Sequence, residues 1–79
     1  MSLQDEHASE SSPLERLSRR ERQVLKLVVE GKSTQEIATH LHVSPKSVES
    51  YRSRLVAKLE IEDLPGLVKF AIRNGVTTL

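Results

Sequence analysis

The stretch from Ser33 to Leu59, STQEIATHLHVSPKSVESYRSRLVAKL, constrains this chain most, because it holds two helix starts close together with almost nothing between them. Ser33 and Glu36 form a capping-box pair: the serine oxygen accepts an orphan backbone N–H, and the glutamate reaches back to the serine's own N–H. Ile37, Ala38 and Leu41 then fall at helical spacing and predict one buried stripe. Ser44 caps the next helix, and Pro45 suits its first turn because its missing N–H would be unpaired there anyway. The connection is therefore a tight turn at about Leu41 to Ser44. From Pro45 to Leu59, Val48, Leu55 and Leu59, with Val56 beside them, define an apolar face, and polar and basic residues lie opposite.

Helices flank this pair on both sides. Ser18 and Glu21 repeat the capping box, Val24, Leu25 and Val28 recur at helical spacing, and Gly31 supplies the stop, so a first helix is expected over 19–30. Arg19, Arg20 and Arg22 crowd its start, where the helix dipole disfavours cations, and read either as solvated charge or as phosphate contacts. A last helix is expected over 64–74: Asp63 caps it, Pro65 sits in its first turn, Leu67, Val68, Ala71 and Ile72 make its stripe, and Asn74-Gly75 ends it. Val76 to Leu79 reads as a short fraying end. No strand-period alternation of useful length occurs. The expected fold is all-α, a compact four-helix bundle with a central helix-turn-helix over 19–30, 34–41, 45–59 and 64–74.

With 79 residues, this is one small domain whose core must be built by aliphatic packing, since it has no cysteine and its aromatics are Tyr51 and Phe70. Residues 1–13, MSLQDEHASESSP, are too polar to offset the entropy of ordering and read as a disordered linker or a cloning remnant. His7 there reads as solvated, with no partner at a zinc-like spacing. The net charge of +1 hides an asymmetry. Asp5, Glu6 and Glu10 lie in that tail without any Lys or Arg; without them the remainder carries twelve basic against eight acidic residues, or +4. An acidic tail thus masks a basic domain over 14–79. No apolar run is long enough for a membrane span, and no signal-peptide core is present, so no membrane partner and a cytoplasmic location are expected.

No catalytic constellation, Gly-rich phosphate loop or metal scaffold is visible, so no enzyme activity, cofactor or metal is expected. His40 and His42 are two apart and would diverge on a helix. A different chemistry is available on the Pro45–Leu59 helix. Lys46, Glu49, Ser50 and Ser53 share one outward face, the arrangement needed to meet base edges in a major groove. Lys46 can donate to guanine O6 or N7, Glu49 can accept from cytosine N4, and the serines can do either. Alternatively the face is only solvated, with Glu49 pairing to Arg52 or Ser53. Arg52, Arg54 and Lys58 are expected on phosphates. Lys32, Ser33, Thr34 and Gln35, at the second helix's N-terminus, form another candidate phosphate site. Tyr51 is expected either on a phosphate or at the edge of the core, with partial burial.

Three blocks now stand in order: LSRRERQVLKLVVEGKSTQEIA, SPKSVESYRSRLVAKL and LVKFAIRNG. Together, from about Leu14 to Gly75, they resemble the LuxR-type (GerE or NarL-like) helix-turn-helix DNA-binding domain of bacterial response regulators. The resemblance implies a four-helix domain whose third helix reads double-stranded DNA at positions matching Lys46, Glu49, Ser50 and Ser53. Glu49 and Ser50 depart from the family's commoner choices there. It further implies a homodimer on DNA through the last helix, with Lys69, Phe70 and Arg73 as candidate interface residues; Phe70 could instead complete the core. It also implies a receiver or sensor domain in a longer chain, and action as the C-terminal effector of a transcriptional regulator. The alternative from another class is a protein-interaction or RNA polymerase-docking module with little DNA contact.

Overall fold

The computed structural model describes residues 13–76, so the expectations for His7, for the tail through Ser12 and for the final three residues lie outside the described residues. Pro13, counted above with the tail, opens a single 3₁₀ turn, Pro13–Arg16, which the sequence reading missed. Four α-helices follow: α1 (Arg19–Val29), α2 (Thr34–Leu41), α3 (Pro45–Leu59) and α4 (Leu64–Arg73). The described residues contain no strand.

Each helix begins on the side chain its sequence supplies. In both capping boxes the serine Oγ accepts from the glutamate N–H, Ser18 from Glu21 and Ser33 from Glu36, each at 3.1 Å. The glutamates answer by accepting the serine N–H at 2.9 Å and 2.8 Å. Ser44 accepts from Ser47 N–H, and Asp63 from Gly66 N–H. Glycine is demanded at position 66 by space: a Cβ there would lie 2.7 Å from Ile61 Cγ2.

The stops are equally local. After α1, Gly31 takes a φ of 92°, while Gly31 N–H and Lys32 N–H donate back to the Val28 and Leu27 carbonyls. After α2 the same pair of bonds forms from His42 and Val43 to Thr39 and Ala38, with His42 itself left-handed at φ 60°. A histidine tolerates this region better than most residues with a Cβ, so the turn into α3 stays short without a glycine. Glu60 closes α3 in the same conformation.

Packing is centred on α1, which lies against α2, α3 and α4, while α2 and α3 pack on each other and the 3₁₀ turn rests on α3. The core is aliphatic: Leu17, Val24, Leu25, Leu27, Val28, Ile37, Ala38, Val48, Leu55, Leu59, Leu67 and Ala71 are buried. Tyr51 and Phe70 close its edges at partial exposure, together with Leu41, Val43 and Val56. The expected stripes on α2 and α3 point inward, with Leu41 and Val56 at the margins; on α4 only Leu67 and Ala71 of the expected four are buried, Phe70 packs beside them, and Val68 and Ile72 stay partly exposed.

Among the described residues one charged group lies inside. Glu21 is only 2% exposed, and its Oε1 accepts both from Ser18 N–H and from Lys58 Nζ, the latter at 2.8 Å. Burial by itself pushes this carboxyl up, but the Lys58 hydrogen bond and charge, with the two Ser18 hydrogen bonds, hold it below its ordinary value. The pair ties the start of α1 to the end of α3.

Removing Lys58 leaves a buried carboxylate with its Ser18 hydrogen bond but without its counter-charge, so Lys58→Met should lower unfolding free energy by about 1–3 kcal/mol, read from urea midpoints. Glu21→Gln in the Lys58→Met background should recover part of that loss, whereas additive losses would show that the two side chains do not interact. Glu21 and Glu36 both sit below their ordinary value of 4.5, Glu36 chiefly through the Ser33 backbone hydrogen bond. A depressed carboxyl binds fewer protons folded than unfolded. Its stabilisation is therefore complete above pH 4.5 and lost as pH falls through the folded value. Glu21→Gln should accordingly flatten the acid limb of a stability-versus-pH curve.

Candidate nucleic-acid interface

The orientation of α3 is set from behind. Val48, Leu55 and Leu59 are buried, which fixes the opposite face outward. There Lys46, Glu49, Ser50 and Ser53 are all exposed, and with Arg54 they line one shallow concavity. A second concavity lies where the N-terminus of α2 meets α3, lined by Thr34, Glu49, Arg52, Ser53 and Val56. The structure thus gathers the four residues expected on base edges and joins Thr34 and Arg52 to them. Val56, read from the sequence only as the margin of the core, also reaches this groove. A third concavity lies on the outside of α2, lined by Gln35, Glu36, Thr39 and His40; of these, Gln35 belongs to the expected phosphate site, and the concavity separates it from Thr34.

Among the described residues the ion pairs are Lys26–Glu30 and Lys58–Glu21, so the Glu49–Arg52 pairing weighed above is absent there. Glu49 and Arg52 are both exposed with their charges free of each other. Arg54 lies with its guanidinium carbon 5.8 Å from the centre of the Tyr51 ring, within cation–π range, and Tyr51 is half-buried beneath it. The arginine is thereby steadied at the flank of the outward face.

Lys58 is placed differently from expectation. Its ammonium is held on Glu21, because a carboxylate removed from water draws the nearest cation. Nothing local in the sequence points to this pairing: the partners are 37 residues apart, and Glu21 already has a complete role as a cap. Ser33 uses its N–H and one lone pair of its Oγ in the capping box, which leaves its hydroxyl hydrogen as a donor. Lys32 and Gln35 are exposed and Thr34 partly so, but the Glu36 carboxylate, held ionised beside them, already answers part of the helix dipole. Of the three α1 arginines, Arg19 and Arg22 are exposed, while Arg20 Nη1 makes a long 3.5 Å approach to the Leu41 carbonyl at the end of α2.

On α4, Lys69 and Arg73 are exposed. Phe70 packs against the core and stays partly exposed. Leu64, at the start of α4 and 46% exposed, is the large apolar side chain the sequence reading passed over. Among the described residues there is no cluster of three His, Asp or Glu able to hold a metal ion, and no helix long and apolar enough to cross a membrane.

Comparison with known proteins places this geometry. The model of the GerE family, bacterial regulatory proteins of the luxR family, matches residues 15–71. Transcriptional regulatory protein FixJ of Rhizobium meliloti is 45% identical over 62 residues, covering 78% of this chain and 30% of FixJ. Response regulator UvrY of Escherichia coli is 42% identical over 65 residues, covering 82% and 30%. Oxygen regulatory protein NreC of Staphylococcus epidermidis is 38% identical over 70 residues, covering 89% and 32%. The crystal structure of full-length FixJ from B. japonicum aligns with a TM-score of 0.75 at 34% identity, over 86% of this chain and 34% of that one. The chain spans about a third of the length of these relatives. The matched span takes in all of α1, α2 and α3 and most of α4, and with it the outward face of α3: the chain belongs to the luxR family of bacterial regulatory proteins, as its helix-turn-helix DNA-binding domain.

Proposed function

We propose that this chain is the effector domain of a bacterial transcriptional regulator and reads specific double-stranded DNA with α3 in the major groove. The observation that carries this reading is the division of α3 into two faces. Val48, Leu55 and Leu59 lock one face into the core, and Lys46, Glu49, Ser50 and Ser53 stand free on the other. A helix about 10–12 Å across fits a groove about 12 Å wide, and these side chains offer both donors and acceptors to base edges. Arg52 and Arg54, on the flanks, are positioned to hold phosphates, with Lys32, Thr34 and Gln35 as a second set at the N-terminus of α2. Lys58 serves the fold first, through Glu21, and Tyr51 supports Arg54.

In the longer regulator this domain follows a receiver or sensor domain and works in the cytoplasm. Two copies pair through the exposed side of α4, around Lys69, Phe70 and Arg73, to occupy two half-sites, and the bound dimer contacts RNA polymerase.

Two classes of variant separate base reading from backbone holding. Lys46→Ala or Ser50→Ala should cost about 1–3 kcal/mol on the preferred site and relax preference at one or two base pairs. Arg52→Ala or Arg54→Ala should weaken binding to every duplex and reduce the slope of log affinity against log salt by about one per lost contact. Fluorescence anisotropy at several salt concentrations measures both. Negligible, salt-independent association with DNA would favour the polymerase-docking alternative instead.

A further inference from the structure

Glu49 and Ser53 line both concavities of α3, so they occupy the ridge between the groove shared with Lys46, Ser50 and Arg54 and the groove shared with Thr34, Arg52 and Val56. Glu49 is the acidic residue on an outward face otherwise built of cations and hydroxyls. Among the described residues no cation pairs with it, so its charge faces whatever the helix meets. A carboxylate only accepts hydrogen bonds. In the major groove, guanine offers N7 and O6, adenine N7 and thymine O4, all acceptors, and the donors are the amines of cytosine and adenine.

We propose that Glu49 sets sequence preference by exclusion: it penalises DNA in general and is relieved best where a cytosine N4 amine lies opposite it. This rests on the base-reading function above and deepens it. Two effects produce the penalty. The carboxylate repels phosphates on both sides of the groove, and against an acceptor edge it is left dehydrated without a partner. Cytosine relieves it better than adenine, because N4 has the C5–H at its side, whereas adenine N6 stands beside the N7 acceptor. Ser53, one turn along, is small and rotates its hydroxyl to donate or accept, so it adapts to the neighbouring pair without imposing a choice of its own.

The test is selection from a random-sequence duplex library by the wild-type chain, Glu49→Gln and Glu49→Ala, with titration of a random duplex alongside. Glu49 is exposed, so neither change removes a core contact. The wild type should select a fixed cytosine at one position of each half-site, with discrimination of roughly 5- to 150-fold over the other bases. Both variants should relax that position while binding the random duplex more tightly than the wild type. Preference at every position surviving in both variants, or random-duplex affinity unchanged or weakened, overturns the proposal and leaves base reading by α3 standing. A wild type with no preference anywhere overturns base reading itself and this proposal with it.

Discussion

One oxygen, Glu21 Oε1, accepts from the Ser18 backbone at the start of α1 and from Lys58 near the end of α3. The first bond starts the helix on which every other helix packs, and the second fixes where the far end of α3 lies against it. Because the carboxylate is shut away from water, its partners are not interchangeable with solvent, and the geometry is over-determined in a way that an exposed pair would not be. A core without disulfides, and with its two aromatics only at the edges, needs such a fixed point. Aliphatic side chains set volume and burial, but they tolerate sliding that a short charged contact does not.

The neighbouring residue extends the same logic. Arg20 approaches the carbonyl end of α2 while Glu21 holds the end of α3, so consecutive positions on α1 address both helices of the helix-turn-helix. Between those helices the left-handed His42 and the Ser44 cap keep the connection short. The two helices are therefore held against each other, and the outward face of α3 inherits its orientation from contacts made on the opposite side. This is what a reading surface needs, since hydrogen bonds to base edges reward only side chains held in place.

Most of the fold was legible because its signals are local. Capping boxes at Ser18 and Ser33, caps at Ser44 and Asp63 and the glycine at position 31 act within a single turn, and helix bounds came out within a residue. The outward grouping of Lys46, Glu49, Ser50 and Ser53 was legible for a similar reason: helical periodicity alone decides which side chains oppose Val48 and Leu55. Three features were not. The Lys58–Glu21 pair depends on tertiary packing between distant segments, and a glutamate with a satisfactory capping role gives no hint of a second one. The 3₁₀ turn at Pro13–Arg16 is too short for periodicity to register, and the polar residues before it pulled Pro13 into the tail. Val56 lies at the border of its helix's apolar stripe, where sequence does not say whether a residue faces the core or a groove.

The central claim is a separation of labour: the outward face of α3 meets DNA, and the Glu21–Lys58 side of the domain holds that face still. Backbone amide shifts of this 79-residue chain, followed by NMR while duplex DNA is added, test it residue by residue. The account predicts the largest changes over 46–54 of α3 and at the N-terminus of α2, with the amides of Ser18 and Glu21 and the core of α1 little altered. Changes centred on α1 or α4, with the outward face of α3 unmoved, would contradict it.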